Sequence, residues 1–524
     1  MSSSTKGKLS LVALCLMIFT SVYGFNNIPR AFFRMGYAAI PWYIIAGLFF
    51  FIPFAFMVTE LGSAFKNEKG GIYSWMQKSV GPTFAFIGTF MWYASYIIWM
   101  LNISTGILAP LSNAIFGETK LPDVVWMSVF GVVWIVSVTF ISLKGIDWIK
   151  KIASVGGIAV LAINGLLLIG SLIVVIHNGA PATPINAAAF INSPNPTFTP
   201  SLVAFVAFMV YAIFAYGGCE AVGGLVDETD KPEKNFPKGV VVSALIITIG
   251  YSLMILLVGL AINYTPNSPF YQKVANGDIH LGNASYVVLN YLGDGVGHAL
   301  GLSDASSIVL GQWFARILGI SIVCSLLGAF FTLIYSPIKQ IIMGTPKKLW
   351  PARLGELDEK GMPRRAMIVQ MGFVLGFILL NLVLSLANEG AASLFFEFLT
   401  NMTNISMTLP YLFIIIAYYK FKTNDHIAKP FVIFKSKNLA VFLVVLSAIV
   451  VGFANVFTII EPLVNYFTGA NPDLGFAMRS FISMILGPVL FAIIASTMMR
   501  TYIKKYPNEP FDRDEEFGIE ENYQ

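Results

Sequence analysis

Residues 205–238 read FVAFMVYAIFAYGGCEAVGGLVDETDKPEKNFPK. The apolar run up to Tyr216 is typical of a membrane helix, but two glycine pairs, Gly217–Gly218 and Gly223–Gly224, then flank the carboxyl group of Glu220. Glycine in a helix interior costs about 1 kcal/mol of helix stability relative to alanine, so four glycines together cost roughly 4 kcal/mol. A carboxylate near mid-membrane adds about 3 kcal/mol to the free energy of insertion. Lipid cannot satisfy exposed backbone groups, so the interruption must face protein or a wet cavity. The pattern predicts a discontinuous helix that lines a solute site.

The composition predicts an all-α membrane protein with many spans. Of the 524 residues, 56% are hydrophobic and 12% are charged, about half the charged fraction of a soluble domain. The mean hydropathy is +0.73. The first apolar run contains Asn26 and Asn27 and lacks a small-residue cleavage site, so we interpret it as a retained span. At roughly 20 residues per span, the sequence predicts twelve segments, at about 10–35, 38–64, 82–110, 123–143, 152–177, 201–226, 238–262, 308–342, 366–386, 391–419, 437–459 and 477–500.

The distribution of lysine and arginine predicts the orientation. With the N-terminus inside, most of the 33 basic residues fall on cytoplasmic sides, including Lys6 before the first segment and Lys339 near the end of the eighth. This positive-inside asymmetry predicts a multi-pass protein of the cell (inner or plasma) membrane with both termini in the cytoplasm. The exceptions, on outer sides or inside segment eight, are Arg30, Arg34, Lys120, Lys273, Arg479 and Arg316.

The first segment carries a second interruption. Its run LVALCLMIFTSVYGFNNIPRAFF, residues 11–33, contains Gly24, two asparagines and Pro29. Two interrupted segments five spans apart cross the membrane in opposite directions, which is the sequence sign of an inverted repeat with its site near the bilayer midplane. We therefore predict one transmembrane transporter domain over 1–505 and a cytoplasmic acidic tail over 506–524. Its predicted parts are repeat one at about 10–177, repeat two at about 201–419, and helices 11 and 12 at about 437–500.

The two interruptions together predict a receptor made of backbone groups. A helix that stops inside the membrane presents unpaired N–H groups that suit a carboxylate, while the preceding half presents free carbonyls that suit an ammonium group. Such a pair fits the zwitterionic core of an α-amino acid. The predicted walls are Ser21, Tyr23, Gly24, Phe25 and Asn26 on one side, and Phe214, Ala215, Tyr216, Gly217, Gly218 and Cys219 on the other.

Glu220 has two interpretations at this stage. It caps the second half-helix by accepting N–H bonds, or it takes up a proton or holds a gate, because a desolvated carboxyl group can be protonated. Tyr93 is a second candidate for a gating or proton-handling residue, although aromatic side chains in a membrane bundle usually serve packing. Glu60, at the inner end of segment two, is expected to form a structural ion pair. The other polar or aromatic candidates inside the membrane are Trp92, Tyr96, Asn164, Arg316, Glu397, Asn401 and Asn404.

The sequences of the loops and of the C-terminal tail support further structural predictions. Residues 66–78 predict a short interfacial helix with Ile72, Trp75 and Met76 facing the lipid boundary, either as a connector or as part of an inner gate. The outer loop 263–304 is long enough for short helices. The tail from Pro507 is acidic and polar, which predicts a disordered, solvated segment, with a regulatory role as the alternative.

The residues also resemble a known family. FAYGGCEAVGGLVDETDKPEKNFPK, residues 214–238, resembles the sixth-helix signature of the amino acid–polyamine–organocation (APC) superfamily, with its small-residue break, following Glu and N-P-x-x-x-x-P inner loop. Here Lys231 replaces the Asn, and Pro232 and Pro237 match. TELGSAFKNEKGGIYSWMQKSVGP, residues 59–82, resembles that family's loop between helices two and three. The resemblance covers roughly segments one to ten.

Two further runs point to a branch of that superfamily. KKIASVGGIAVLAINGLLLIG, residues 150–170, and TNMTNISMTLPYLFIIIAYYK, residues 400–420, are most similar to the glutamate/GABA antiporter-like and YjeM-like permeases. The resemblance implies a LeuT-type 5+5 inverted repeat with discontinuous helices 1 and 6, and amino acid transport by alternating access. Val22-Tyr23-Gly24 replaces the usual Gly-Ser-Gly, which implies a differently shaped pocket. Segment five lacks the lysine of many proton-coupled members, which favours exchange over proton symport.

The predicted function is secondary active transport of amino acids, with exchange preferred. The alternatives are a proton-coupled amino acid or amine symporter, another solute carrier, or a channel. A major facilitator would need a long loop between segments six and seven, where the chain is short. An enzyme is not indicated, because the four histidines are scattered and neither HExxH nor G-x-S-x-G occurs.

The expected partners are an amino acid or related amine and the lipid bilayer, with no nucleic acid, cofactor or metal. The absence of an obvious fixed charge beside Glu220 favours a neutral solute, unless Arg316 or Glu397 lies near.

Overall fold

The computed structural model describes residues 8–118 and 124–517. Within these ranges the regular structure is helical apart from one isolated bridge between Leu9 and Thr229. The predicted all-α class is therefore confirmed. Predicted loop residues Lys6 and Lys120 lie outside the described ranges.

The α-helices follow one another in four groups along the chain. The first group is α1 Leu11–Val22, α2 Asn27–Met35, α3 Ala39–Ala46, α4 Ile52–Ala64 and α5 Ile72–Val80. The second is α6 Pro82–Gly106, α7 Leu108–Phe116, α8 Val124–Ser142, α9 Ile146–Asn178 and α10 Leu202–Phe214. The third is α11 Pro232–Ala261, α12 Pro269–Ala275, α13 Ala284–Ala299, α14 Asp304–Gly344 and α15 Arg364–Ala387. The last is α16 Glu389–Thr408, α17 Pro410–Thr423, α18 Lys437–Phe467, α19 Leu474–Lys505 and α20 Asp514–Phe517.

Shorter helical turns join these helices. Six of them lie in the described part of the chain: the 3-10 turns Gly36–Ala38, Ala187–Phe190, Cys219–Leu225, Lys347–Leu349 and Pro351–Arg353, and the π turn Gly47–Phe51.

Eleven helical stretches of the described residues are long and apolar enough to cross a membrane. The first of them, Leu11–Ala64, has 54 residues. At 1.5 Å per residue it would measure roughly 80 Å if it were one straight helix, more than twice the roughly 30 Å of a bilayer core. Helices α1 to α4 divide it, and the chain turns at Gly36, whose φ of 55° lies in the left-handed region that glycine tolerates. Predicted segments one and two both fall within this stretch.

Predicted segment ten is divided at one point. Helix α16 ends at Thr408 and α17 begins at Pro410, where the sequence predicted a single run over 391–419. Proline has no backbone N–H and clashes with the preceding turn, so the helix kinks there.

At the core, α1 packs against α9, α11 and α14, and the 3-10 turn Cys219–Leu225 packs against α1, α4 and α14. Helix α14 is the longest element and also contacts α7 and α13. Large apolar side chains are exposed on the outside of the bundle, among them Ile449 on α18 and Ile493 on α19. Two broken helical segments therefore occupy the centre of the bundle, and its outer surface is suited to lipid.

The short helix predicted after segment two is present as α5, but its apolar face was assigned wrongly. Ile72, Trp75 and Met76 are buried in the protein rather than facing lipid. The backbone N–H of Ile72 donates to Gln340 Oε1 of α14 at 2.8 Å. Packing against α6, α14 and α17 therefore covers the face that the sequence pattern alone assigned to the membrane boundary.

The prediction of a disordered tail is wrong for residues 507–517. The Tyr73 hydroxyl donates to the carbonyl of Phe511 at 3.0 Å, and Lys78 Nζ lies 2.5 Å from Asp514 Oδ2. Arg513 Nη1 donates to the carbonyl of Gly355 at 2.7 Å. Acidic residues of this segment form ion pairs with Lys78 and Lys348. The acidic composition alone predicts contact with water instead. The part of the predicted tail from residue 518 onward lies outside the described residues.

Candidate functional site

The first span is interrupted between Val22, where α1 ends, and Asn27, where α2 begins. The backbone N–H of Tyr23 closes α1 by donating to the carbonyl of Phe19 at 2.8 Å. In the part of the chain that the structure describes, the N–H groups of Phe25 and Asn26 donate to no protein acceptor. The interruption thus leaves two N–H donors at the start of α2, the positive end of that helix.

The second interruption begins where α10 ends at Phe214. Residues 215–218 form a turn, and the 3-10 turn Cys219–Leu225 follows. Gly218 has a φ of 114°, which side chains other than glycine rarely adopt. A Cβ atom at Gly218 would also collide with the carbonyl oxygen of Ser21. The glycine therefore allows the two interruptions to touch.

Tyr251 of α11 links both interruptions through its hydroxyl group. The hydroxyl oxygen accepts from the Gly24 N–H at 3.0 Å and lies 3.3 Å from Asn27 Nδ2. It also lies 3.2 Å from the carbonyl oxygen of Val22 and 3.1 Å from that of Ala215. Sequence reasoning missed this residue, because a tyrosine inside an apolar helix carries no signal of its long-range partners.

A cavity of about 240 Å³ lies at the two interruptions. Of the predicted wall residues, the cavity is lined by Ser21, Gly24, Phe25, Asn26, Phe214, Ala215 and Gly217. Its other polar lining residues are Thr20, Asn27, Ser321 and Ser325, and Trp99 adds an indole ring. No lining residue is charged. The side-chain oxygen Oδ1 of Asn26 is buried without a hydrogen-bond partner among the described residues.

Four predicted wall residues do not line the cavity. The Tyr23 hydroxyl donates to Asn164 Oδ1 of α9 at 2.9 Å, and the Tyr216 hydroxyl donates to the carbonyl of Tyr43 at 3.0 Å. Gly218 packs against Ser21, and Cys219 is buried. These four residues stabilise the interruptions by contacts on the side away from the cavity, and neighbouring residues form the cavity surface.

Glu220 is fully buried beneath the second interruption and does not line the cavity. Its Oε2 accepts from the Gly218 N–H at 3.2 Å, and its Oε1 accepts from Trp92 Nε1 at 3.0 Å. The hydroxyl groups of Tyr96 and Tyr411 each lie 3.4 Å from Oε1. The carboxyl group thus ties the turn to α6 and α17, which is the geometry of the capping interpretation. Tyr411 was missed because it is far away in sequence.

Tyr93, by contrast, faces a different cavity. Its neighbours there include Phe90 on its own helix and Phe373 of α15. The structure therefore does not bring Tyr93 together with Glu220 at the interruptions.

The remaining charged candidates have local partners. Arg316 Nη2 donates to the carbonyl of Phe116 at 3.1 Å, and Glu397 Oε1 accepts from Ser480 Oγ at 3.1 Å. Neither side chain lines the cavity, and neither do Asn401 and Asn404. These residues therefore place no charge at the interruptions.

Glu60 forms the structural ion pair that the sequence predicts. The carboxyl group is fully buried, and its Oε2 lies 2.7 Å from Lys422 Nζ. The Tyr418 hydroxyl donates to the same oxygen at 2.9 Å, and the N–H groups of Ile433 and Phe434 donate to Oε1. Every acceptor position of the buried carboxylate is thus engaged in joining α4 to the inner ends of α17 and the loop after it.

Lys339, which the charge distribution placed at the cytoplasmic end of predicted segment eight, is a buried residue of α14. Its Nζ lies 2.7 Å from Asp227 Oδ1 and 3.4 Å from Glu228 Oε1, and it donates to the carbonyl of Gly224 at 2.9 Å. Helix α14 ends at Gly344, two residues beyond the predicted end of segment eight at residue 342. The lysine therefore fastens the end of the second interruption to α14.

The N-terminal segment covers the same inner end. The N–H of Leu9 donates to the carbonyl of Glu228 at 2.7 Å, and the N–H of Asp230 donates to the carbonyl of Leu9 at 2.8 Å. These bonds and those of Lys339 together form what we call the inner latch, made of Leu9, Asp227, Glu228, Asp230 and Lys339.

Comparison with known proteins gives one family for nearly the whole chain. The family model described as "Amino acid permease" matches residues 9–491. The chain is 48% identical over 520 residues to "Inner membrane transporter YjeM" of Escherichia coli (strain K12), covering 96% of this chain and 98% of the relative.

Two more distant relatives are similar at a lower level. The chain is 23% identical over 508 residues to "Aspartate/glutamate permease AcaP" of Lactococcus lactis subsp. cremoris (strain MG1363), covering 93% of this chain and 94% of the relative. It is also 23% identical over 211 residues to "Glutamate/gamma-aminobutyrate antiporter" of the same organism, covering 40% of each chain. These matches confirm the superfamily and the branch that the sequence motifs indicated.

Proposed function

Since this chain belongs to the amino acid permease family and is a membrane transporter rather than an enzyme, we propose that it exchanges amino acids across the inner membrane by alternating access. The observation that carries the proposal is the contact between two interrupted spans beside a cavity with no charged lining. Unpaired main-chain groups of this kind, rather than a fixed charge, suit a zwitterion.

The proposed substrate core is held by backbone and amide groups. The N–H groups of Phe25 and Asn26, at the N-terminal end of α2, would receive the carboxylate. The unpartnered Asn26 Oδ1 would accept a hydrogen bond from the ammonium group. Half-helix ends pointing at a substrate carboxylate are a general device of transporters with broken helices.

We propose a neutral amino acid as the substrate. The distant relatives are named for aspartate and glutamate, which carry a second carboxylate, and for γ-aminobutyrate, which is a zwitterion. In this chain, however, no cation lines the cavity to pair with a second carboxylate. Desolvating an unpaired charge costs several kcal/mol, so a neutral side chain is favoured.

We further propose the architecture that the resemblance implies. Leu11–Ala64 would cross the membrane twice, which gives twelve spans, and α1 to α9 and α10 to α17 would form the two halves of a LeuT-type 5+5 repeat. Both termini would then be cytoplasmic, and the inner latch would close the path on that side. Release of solute into the cytoplasm would require the latch to open.

Counterflow in proteoliposomes tests the exchange proposal. Vesicles loaded with a neutral amino acid mixture should take up labelled neutral amino acid from outside at least about tenfold faster than empty vesicles, without an imposed ion gradient. Equal uptake by empty vesicles would indicate a channel. Uptake that requires an inward proton gradient would instead support the proton-coupled alternative, for which the buried carboxyl group of Glu220 is the specific observation.

A further inference from the structure

A long groove runs along α19, away from the two interruptions. Its apolar part is a cavity of about 360 Å³ that contains Tyr93, Phe373 and Phe491. Its polar part is a cavity of about 800 Å³ that contains Lys348, Thr497, Thr501 and Lys505. The two parts share the lining residues Trp350, Pro351, Ile494 and Met498. They therefore form one continuous surface, which we call the α19 groove.

The α19 groove changes from apolar to cationic along one helix face. Ile493, Thr497, Thr501 and Lys505 follow one another at intervals of four residues and line the same part of the groove. Side chains at that spacing lie one above the other on an α-helix. The series runs from hydrocarbon through two hydroxyl groups to an ammonium group, as a phospholipid runs from its acyl chains through its ester region to its phosphate.

The apolar part is open towards the outside of the bundle. Phe373 is 57% exposed and Val369 is 41% exposed, and both line this part and lie within one candidate membrane span. In a membrane, such surface is in contact with lipid acyl chains. A cavity of this size is within the range of ligand pockets, which is about 300–1,000 Å³.

The polar part carries a positive charge excess. The ammonium groups of Lys348 and Lys505 lie 5.2 Å and 5.3 Å from the centre of the Tyr506 ring. Lys348 forms an exposed ion pair with Glu509 at 2.6 Å. Lys505 has no ion pair within residues 8–118 and 124–517. Two cations share one carboxylate, so one positive charge remains for a phosphate group.

We propose that the α19 groove binds one anionic phospholipid of the cytoplasmic leaflet, with an acyl chain beside Tyr93 and Phe373 and the phosphate between Lys348 and Lys505. Basic pockets between helices on the cytoplasmic side are suited to anionic headgroups. Trp350 lines both parts of the groove, and Tyr506 lies beside the two lysines in the polar part. Tryptophan and tyrosine side chains are typical of the headgroup level of a membrane. The leaflet follows from the orientation proposed above, whereas the binding itself does not depend on transport.

Native mass spectrometry of the full-length protein in detergent tests this proposal. The probes are phosphatidylglycerol and phosphatidylcholine with the same acyl chains. We expect wild-type protein to bind phosphatidylglycerol roughly fivefold more tightly, the preference expected for one net positive charge. The Lys348→Gln/Lys505→Gln variant should lose this preference. The control Lys420→Gln/Lys435→Gln removes two exposed cytoplasmic lysines far from the groove along the sequence and should keep it.

A third variant tests the apolar part. Ala94→Phe places a ring in the cavity beside Tyr93 and should weaken both lipids to a similar extent. Equal binding of the two lipids by wild-type protein would overturn the proposal, and so would an equal loss in the Lys420→Gln/Lys435→Gln control. A dimer that carries no lipid, and that separates in the Lys348→Gln/Lys505→Gln variant, would assign the groove to a second copy of the chain instead.

Discussion

Gly218 holds the two interruptions in contact, and its replacement should stop transport. Its left-handed backbone and its closeness to the Ser21 carbonyl leave no room for a side chain. We expect Gly218→Leu to reduce counterflow to a few per cent of wild type or less, because the leucine would separate α1 from the turn after α10. The measurement is uptake into proteoliposomes at matched protein content.

A control variant distinguishes this effect from a general loss of folding. Gly372 lies on the exposed face of α15, where an added Cβ atom would meet no other atom within 4 Å. Gly372→Leu should therefore transport at the wild-type rate. Normal uptake by a well-folded Gly218→Leu protein would place the solute site elsewhere.

Variants at Glu220 distinguish a capping role from a role in proton coupling. As a cap, the carboxyl group accepts hydrogen bonds from the Gly218 N–H and the Trp92 indole. Glu220→Gln keeps one acceptor oxygen, so exchange should stay within about threefold of wild type with the same pH profile. Glu220→Ala leaves both donors buried and unsatisfied, at about 1–3 kcal/mol each, and should lower the thermal stability. A pH dependence that is present in wild type and absent from Glu220→Gln would show instead that this carboxyl group carries the proton.

Individual residues show what the sequence could and could not predict. The positions of the interruptions follow from local chemistry, since Gly24 and the pair Gly217–Gly218 weaken a helix wherever they occur. The direction of a side chain depends on distant partners. Tyr23 and Tyr216 were predicted to line the cavity, but each finds a hydrogen-bond acceptor on another helix. Tyr251 contacts both interruptions from a helix whose sequence gives no indication of it.

The helices differ from the sequence prediction chiefly where one element covers another. Helix α5 has the apolar face expected of an interfacial helix, yet α14 and the C-terminal segment bury it. The charge of Lys339 predicts an accessible position at the end of a span, but its side chain is buried in α14, where Asp227 and Glu228 stabilise it. Long-range contacts of this kind are not encoded in local periodicity.

The inner latch connects the N-terminal segment, the end of the second interruption and α14. Lys339 is fully buried and neutralises Asp227 and Glu228, which are both partly exposed. Without the lysine, Asp227 would lose its ion pair in the closed arrangement, whereas its carboxylate would reach water if the inner end opened. Lys339→Met should therefore shift the population towards an inward-open state.

Alkylation of Cys219 reports that shift. The thiol is buried at the second interruption when the latch is closed. In a Cys15→Ala/Cys324→Ala background, Lys339→Met should raise the labelling rate of Cys219 by a membrane-permeant maleimide by roughly tenfold. Lys347→Met, a charge change at an exposed neighbouring position, should leave the rate unchanged. An unchanged rate in a folded Lys339→Met protein would show that the latch does not control access.

At the scale of the whole molecule, the position of the cavity, the direction of the two interrupted spans and the number of membrane crossings depend on one another. In the proposed architecture, the cavity lies where two interrupted spans meet, and these spans cross the membrane in opposite directions because they belong to opposite halves of an inverted repeat. That requirement fixes the number of crossings between them. If α1 to α4 crossed the membrane once, α1 and α10 would run in the same direction, and the ends of their half-helices could not face one solute from both sides.

Labelling of single cysteines therefore tests the proposed twelve-span topology. In a cysteine-free background, Asn192→Cys in the loop before α10 should react with an impermeant maleimide added to intact cells. Glu359→Cys in the loop before α15 should react only after the membrane is permeabilised, and an N-terminal epitope tag should behave in the same way. Both substituted side chains are exposed, so neither reaction is limited by burial. An N-terminal tag on the cytoplasmic side together with protection of Asn192→Cys in intact cells would mean that Leu11–Ala64 crosses an odd number of times. The inverted repeat, and with it the shared backbone receptor for a zwitterion, would then be wrong.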